Sequence, residues 1–282
     1  MIKFSNVTKT YKSTTAINDI SFDICENKIY CLLGRNGAGK TTFLKLIAGH
    51  LNASQGEIMI DNQKVSTFNM PVCVNFIESR SSQFNLKVGA LINLANSLQD
   101  DFDLDFAKNM MKKFKLDKNK KYKQLSFGMK TMLTTLLSLA SNSKVVILDE
   151  PVVGFDAIMR ERFYELVQTS FEYHPRIIIV STHLIDEISK VAEDIIIIDK
   201  GSILLHSSIN DIDVKTYSLT GQTNEVKNAT KGLNVIGEKT VGGFTTAYIF
   251  GDRILLKDSI KLKSLGLQEF FINIVGGDKD EI

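Results

Sequence analysis

The sequence predicts an α/β fold, a mainly parallel sheet with helices on both faces, followed by a small α+β appendage. Three observations predict it. Short apolar runs at residues 29–33, 145–148, 177–180 and 195–198 alternate with longer stretches of helical spacing, the pattern of a parallel sheet with crossover helices. A glycine-rich stretch, Gly34-Arg35-Asn36-Gly37-Ala38-Gly39-Lys40-Thr41-Thr42, stands between the first of these runs and a short apolar helix ended by Gly49. After about Leu205 the composition shifts, Gly and Thr become frequent, and residues 244–250 alternate like a half-buried strand.

In chain order, residues 2–7 and 17–24 read as strands, with 9–15 as the turn between them. Residues 29–33 form the strand that feeds the glycine-rich stretch, and residues 56–60 form another, closed by the turn Asp61-Asn62-Gln63. Residues 72–77 are strand-like. Residues 88–98 and 106–114 carry helical spacing, with acidic residues 100–105 between them. Ser126 takes an N-cap position ahead of the apolar face Met129, Met132, Leu133, Leu136, Leu137 and Ala140. Strands at 145–148, 177–180 and 195–198 are separated by helices at 158–171 and 184–191. The expected organisation is a main domain over residues 1–209, with a helical subdomain over about 79–141, then an accessory region over 210–282 that ends in a polar tail at 276–282.

Composition narrows the classes. With 282 residues, 44% hydrophobic and 23% charged, the chain has room for one large domain with an appendage. A formal net charge of +2 leaves no basic footprint for nucleic acid. Lys112, Lys113, Lys115, Lys118, Lys120, Lys121 and Lys123 do cluster, as a solvated helix end and loop or as a contact surface for a membrane or partner. Cys25, Cys31 and Cys73 lie in or beside apolar runs and read as small core residues. The first six residues lack a signal-peptide layout, and no apolar run approaches the roughly 20 residues needed to span a bilayer.

Strand, glycine-rich loop, lysine, hydroxyl and helix form the P-loop pattern. Glycines let backbone N–H groups converge on a phosphate chain, and the positive end of the helix dipole points the same way. Lys40 adds a charge for the β- and γ-phosphates, and Thr41 offers a hydroxyl to Mg²⁺. Behind it, Val145-Val146-Ile147-Leu148-Asp149-Glu150 is an apolar strand ending in two acids. Asp149 would hold the Mg²⁺ shell, and Glu150 would polarise an attacking water.

Leu125-Ser126-Phe127-Gly128-Met129, placed ahead of that strand with a helix behind it, resembles the signature of ATP-binding cassette (ABC) proteins, usually Leu-Ser-Gly-Gly-Gln. The resemblance covers about residues 1–205 and implies an ABC nucleotide-binding domain with an antiparallel β subdomain and a helical subdomain. It implies γ-phosphate contact for Ser126 and Gly128, a switch role for His183, and adenine stacking for Tyr11. Asp156, in Gly154-Phe155-Asp156, matches the acid of the D-loop that meets a partner monomer. Phe127 and Met129 depart from the signature and put ribose contact in doubt. The family's glutamine, a further Mg²⁺ ligand, aligns with Glu78, or with Gln83 if the alignment is shifted.

The layout resembles the ATPase subunits of ABC-2 type exporters, whose C-terminal extensions end in an acidic-aromatic helix like Leu267-Gln268-Glu269-Phe270-Phe271. Within that group it is similar to Gram-positive peptide and drug exporters such as the phenol-soluble modulin exporter. The resemblance implies ATP and Mg²⁺ as cofactors and a head-to-tail ATPase dimer, a homodimer being expected. It further implies permease subunits on a separate chain, met by the helical segment over about 79–123, and a peripheral position on the cytoplasmic face of the cell membrane. Two other readings stand beside the exporter: a non-transport ABC ATPase, and a regulatory subunit that binds ATP but hydrolyses it weakly.

Overall fold

The computed structural model describes residues 1–78, 84–253 and 259–276. Gln83 and residues 277–282 of the expected tail lie outside the described residues. The chain divides into two compact units, residues 1–205 and 206–282.

The first unit opens with a long hairpin, β1 (Ile2–Tyr11) and β2 (Thr14–Ile24). Its turn is far shorter than the expected 9–15. Lys9, Thr10 and Tyr11 pair with Ile17, Thr15 and Thr14, and only Lys12 and Ser13 lie between the strands. Backbone pairing carries the strands through polar residues that give no apolar signal. The other strands of this unit's first half are β3 (Ile29–Leu33), β4 (Gln55–Ile60), β5 (Gln63–Lys64) and β6 (Val74–Glu78), with helix α1 (Lys40–Ile47) after β3. β4 and β5 are joined by Asp61 and Asn62, both at positive φ (48° and 66°), as a two-residue hairpin turn requires. β2, β1, β4 and β5, in that order, make an antiparallel sheet.

Three helices follow: α2 (Val88–Leu98), α3 (Leu104–Lys113) and α4 (Phe127–Ala140). Asp103 caps α3 by accepting from Phe106 N at 2.8 Å. Then come β7 (Val145–Asp149), α5 (Ala157–Tyr173), β8 (Ile177–Ser181), α6 (Ile185–Ile188), β9 (Asp194–Asp199) and β10 (Ser202–Ser208). β10-β9-β3-β8-β7-β6 form the second sheet, and β9, β3, β8, β7 and β6 run parallel. β3, β7 and β8 are buried at every position, as central parallel strands covered on both faces must be. One core cluster joins the two sheets through α1, with the Phe4 and Phe43 rings stacked at 4.8 Å.

Two further expectations are corrected. The helix expected over 184–191 is a single turn, because Glu193 N already donates to Ile29 O at 2.9 Å and the chain must turn back to meet β3. Cys25 is exposed at the end of β2, whereas Cys31 is buried.

The second unit contains α7 (Ile209–Lys215), β11 (Thr216–Gln222), α8 (Thr223–Ala229), β12 (Val235–Val241), β13 (Phe244–Phe250), β14 (Lys261–Ser264) and α9 (Leu267–Gly276). Its antiparallel sheet has the order β12-β13-β11-β14, so β13 lies between β11 and β12 in a split β-α-β arrangement. Tyr217, Leu219, Ala247 and Ile249 alternate onto the face that receives Val226 of α8, forming this unit's own core.

Candidate active site

The parallel sheet brings its chemistry to one edge. Leu32 is paired with Ser181, Ser181 with Asp149, and Asp149 with Glu78, so β3, β8, β7 and β6 end at the same level. Ligand groups in open α/β sheets gather outside these carboxyl ends.

From β3 the chain passes through the glycine-rich loop into α1. Gly39, the residue before α1, has φ 110°, a conformation that carries almost no cost only for glycine. Gly34 and Ala38 back the loop, with Gly34 against Ile198. The loop walls a cavity of about 280 Å³ lined by Ala16, Arg35, Asn36, Gly37, Gly39, Lys40, Thr41, Thr42 and Glu150. Lys40 is nearly buried, and its ammonium donates to Gly34 O at 2.7 Å and Arg35 O at 3.3 Å.

A continuous set of contacts joins the loop to the ends of β7 and β8. Thr41 Oγ1 donates to Asp149 Oδ2 at 2.8 Å, and Ser181 Oγ donates to Asp149 Oδ1 at 2.6 Å. Ser181 Oγ also accepts from Glu150 N at 2.9 Å. Glu150 has φ 48°, an uncommon conformation for a residue with a side chain, held by this bond. Its carboxylate meets His183 Nδ1 at 3.0 Å and lies 3.9 Å from Lys40 Nζ. Lys40, Thr41, Asp149, Glu150 and His183 are therefore assembled within one chain, though they come from three separate stretches of sequence.

Glu78 ends β6 beside Asp149, but its carboxylate is engaged by Lys45 of α1 in an ion pair with both side chains about a quarter exposed (27% and 29%). Lys45 lies one helical turn beyond Thr41, so it faces the same way.

Tyr11, Ser126, Gly128 and Asp156 do not line the cavity. Tyr11 is 43% exposed at the tip of the first hairpin, with Lys9 Nζ 5.2 Å from its ring centre. Ser126 caps α4 by accepting from Met129 N at 3.3 Å, and Asp156 caps α5 by accepting from Met159 N at 2.8 Å. The starts of these helices are packed together. A Cβ on Gly128 would lie 3.6 Å from the Phe155 ring, and one on Gly154 would lie 3.6 Å from the Phe127 ring. Phe127 thus fills the space over Gly154, whose φ of 79° suits glycine.

Three contributors escape a reading of the sequence. Ser181 had a signal, a hydroxyl at the end of an all-apolar run just ahead of His183. Lys45 had one in its four-residue spacing from Thr41. Ala16 had none, since β2 brings it to the loop only in three dimensions.

The donor set suits Mg²⁺. Thr41 Oγ1 and Asp149 Oδ2 are adjacent oxygens, and no cluster of three or more His, Cys, Asp or Glu side chains occurs among the described residues. Mg²⁺ characteristically takes one or two protein oxygens and completes its shell with phosphate and water.

The family described as ABC transporter matches residues 17–153. The lantibiotic transport ATP-binding protein SrtF of Streptococcus pyogenes is 30% identical over 207 residues, which cover 73% of this chain and 90% of SrtF. The ABC transporter ATP-binding protein YtrB of Bacillus subtilis is 27% identical over 221 residues, 76% of this chain and 73% of YtrB. A solved dimeric ATP-binding cassette, in a post-hydrolysis state bound to ADP and phosphate, shares the fold with a TM-score of 0.64 at 23% identity, covering 74% of this chain and 99% of the other.

Proposed function

The chain belongs to the ATP-binding proteins of ABC transporters, an ATPase family, and on that premise we propose that two copies of it hydrolyse ATP between them to drive a peptide exporter. The observation that carries this reading is the division of labour at the site. The cavity is walled by the glycine-rich loop and Glu150, whereas Ser126 and Gly128 stand outside it on α4. A triphosphate held by Lys40 keeps an open side, and the N-terminus of α4 on a second copy, with the positive end of its dipole, is suited to close it. ATP then acts as the ligand that favours the closed dimer.

In the proposed reaction a water attacks the γ-phosphorus and the bond to the β,γ-bridging oxygen breaks. The Glu150 carboxylate takes the proton that the water loses as its oxygen bonds to phosphorus, and Glu150 is oriented by Ser181 through its backbone N–H and by His183 through its carboxylate. Lys40 stabilises charge on the departing phosphate oxygens. Mg²⁺, held by Thr41 and Asp149, would supply neutralising charge on the β- and γ-phosphates. With Glu78 drawn to Lys45, its proposed metal-ligand role requires this ion pair to open.

No helix among the described residues is long and apolar enough to cross a membrane. In the proposed exporter the transport path lies on another chain, and this chain sits peripherally at the cytoplasmic face of the cell membrane. SrtF is named for lantibiotic transport, which supports a peptide or similar amphipathic cargo. A second reading, a regulatory subunit of low activity, is favoured by the carboxylate at Glu78 next to Asp149.

Comparison of wild type with Glu150→Gln tests the main reading. The expected result is a fall of roughly 100-fold or more in ATP hydrolysis with binding retained, together with an ATP-dependent dimer in size-exclusion chromatography. Equal basal rates in the two proteins would favour the regulatory reading. Recovery of a polytopic membrane protein with the chain from detergent extracts tests the exporter assignment.

A further inference from the structure

A basic ribbon lies at one end of the helical region of the first unit, within the segment over about 79–123 expected to meet permease subunits. Two separate segments are tied together by backbone hydrogen bonds: Tyr122 N to Leu86 O at 2.8 Å, Val88 N to Lys120 O at 3.0 Å, and Gly89 N to Lys118 O at 3.0 Å. Lys87 and Lys121 form an isolated antiparallel bridge between them. The ribbon is therefore set by main-chain pairing and not left to a wandering loop.

Its side chains are unusual for a solvated turn. Lys87, Lys118, Lys120, Lys121 and Lys123 are all exposed, and Asp117 is the sole acid from residue 84 to 99 or from 106 to 123. Asp117 is committed locally, accepting from Asn119 N at 2.9 Å. Beside the lysines, Phe84 and Leu86 are exposed at 42% and 41%. Phe84 stands edge-on to the buried Tyr122 ring at 5.4 Å, which anchors its base while leaving much of the ring outside. The acids of this region, Asp100, Asp101, Asp103 and Asp105, sit beyond the far end of α2 and at the start of α3. α2 carries no charged side chain, and its N-terminus opens at the ribbon. The charge of the helical region is thus separated along α2, basic at one end and acidic at the other.

Five exposed cations with two half-exposed apolar side chains match an interface of anionic headgroups over acyl chains. Lysine ammoniums lie at headgroup level and apolar side chains enter the boundary below them. We infer that this ribbon docks directly on an anionic lipid surface. The contact goes beyond the ATPase reading, because it requires neither nucleotide nor permease. It would hold the chain against the membrane before, and independently of, assembly with membrane subunits. Each lysine near such a surface multiplies the partition coefficient about fivefold, so several together overcome the weak affinity of any one.

The test is sedimentation of the full chain, without nucleotide, with vesicles free of other protein. One set is phosphatidylcholine alone and the other contains about 30% phosphatidylglycerol. Wild type is expected to sediment with the anionic vesicles only, and to be released at about 0.5 M salt, where screening acts over a few ångström. The variant K118Q/K120Q/K121Q is expected to bind about 100-fold more weakly while still binding ATP, since none of these residues lines the nucleotide cavity. Phe84→Ser with Leu86→Ser is expected to weaken binding and leave its salt dependence in place. Equal binding to both vesicle types, or a triple-lysine variant that sediments like wild type, would overturn the inference. So would failure of the wild type to sediment with either vesicle type. Loss of ATP hydrolysis in Glu150→Gln tests the ATPase reading and has no bearing on this result.

Discussion

Replacing Lys45 by methionine isolates the electrostatic role of Glu78. The substitution keeps the length and apolar stem of the side chain and removes the ammonium that engages the Glu78 carboxylate. Both groups are about a quarter exposed, so the pair contributes at most about 1 kcal/mol to stability, and the variant should fold. The effect on nucleotide is larger. Glu78 is paired with Asp149 across adjacent strands, which lie about 4.8 Å apart, and Asp149 touches Thr41. A freed carboxylate there lies on the order of 8 Å from a triphosphate on the loop. At an effective dielectric of about 20 to 40, one uncompensated charge at that distance costs about 1–2 kcal/mol. The expected result is roughly 5- to 30-fold weaker binding of Mg-ATP in Lys45→Met. Glu78→Gln alone should leave ATP binding intact and change the hydrolysis rate or its coupling. Lys45→Met with Glu78→Gln removes both charges and should bind nearly as wild type.

The measurement is equilibrium titration with a fluorescent ATP analogue in the Glu150→Gln background, supported by steady-state KM values in the active protein. If Lys45→Met binds as tightly as wild type, the charge of Glu78 is already screened from the phosphates. If the double variant is as weak as Lys45→Met, the loss comes from packing against α1. Either result refutes the electrostatic account.

Two further outcomes follow from the geometry. Ser181→Ala removes a hydroxyl that donates to Asp149 and accepts from Glu150 N; kcat should fall about tenfold with little change in KM, and stability by about 1 kcal/mol. Asp61 is held down to about 2 by Lys144 and the terminal ammonium, below the unfolded carboxylate range. Its stabilising contribution is therefore full above about pH 4 and is lost as pH falls through about 2. Because Asp61 is exposed and screened, Asp61→Asn should cost under about 1 kcal/mol at neutral pH and flatten the loss of stability between those values, as read by urea unfolding across a pH series.

The parallel sheet and the site at its edge were legible because they rest on local signals. The buried strands are unbroken apolar runs, the glycine-rich loop has fixed spacing, and Asp149 and Glu150 terminate such a run. What was not legible depends on pairing across distance. The extension of β1 to Tyr11 uses backbone bonds through Lys9 and Thr10, which carry no periodic apolar pattern. The shortening of α6 is imposed by the bond from Glu193 N to Ile29 O, 164 positions away in sequence and outside the range of helix propensity. Glu78 could be placed at a strand end from sequence, but its partner could not, because Lys45 becomes its neighbour only when α1 lies beside β6.

That partner changes the meaning of the site. Four of the charged or polar groups at the edge have counterparts within the chain: Lys40 on two loop carbonyls, Thr41 on Asp149, Glu150 on His183, and Glu78 on Lys45. Phosphate binding therefore exchanges contacts and does not simply add them. A triphosphate must draw Lys40 from Gly34 O and Arg35 O, and each such bond is worth about 1 kcal/mol net. The difference between phosphate and carbonyl as acceptors drives the exchange, since charge-assisted bonds are about twice as strong. Loss of the γ-phosphate removes part of that advantage, and the internal contacts are ready to re-form. These internal hydrogen bonds are thus the same ones that set how far hydrolysis lowers the affinity for nucleotide, and Lys45 with Glu78 adjusts that balance from one helical turn away.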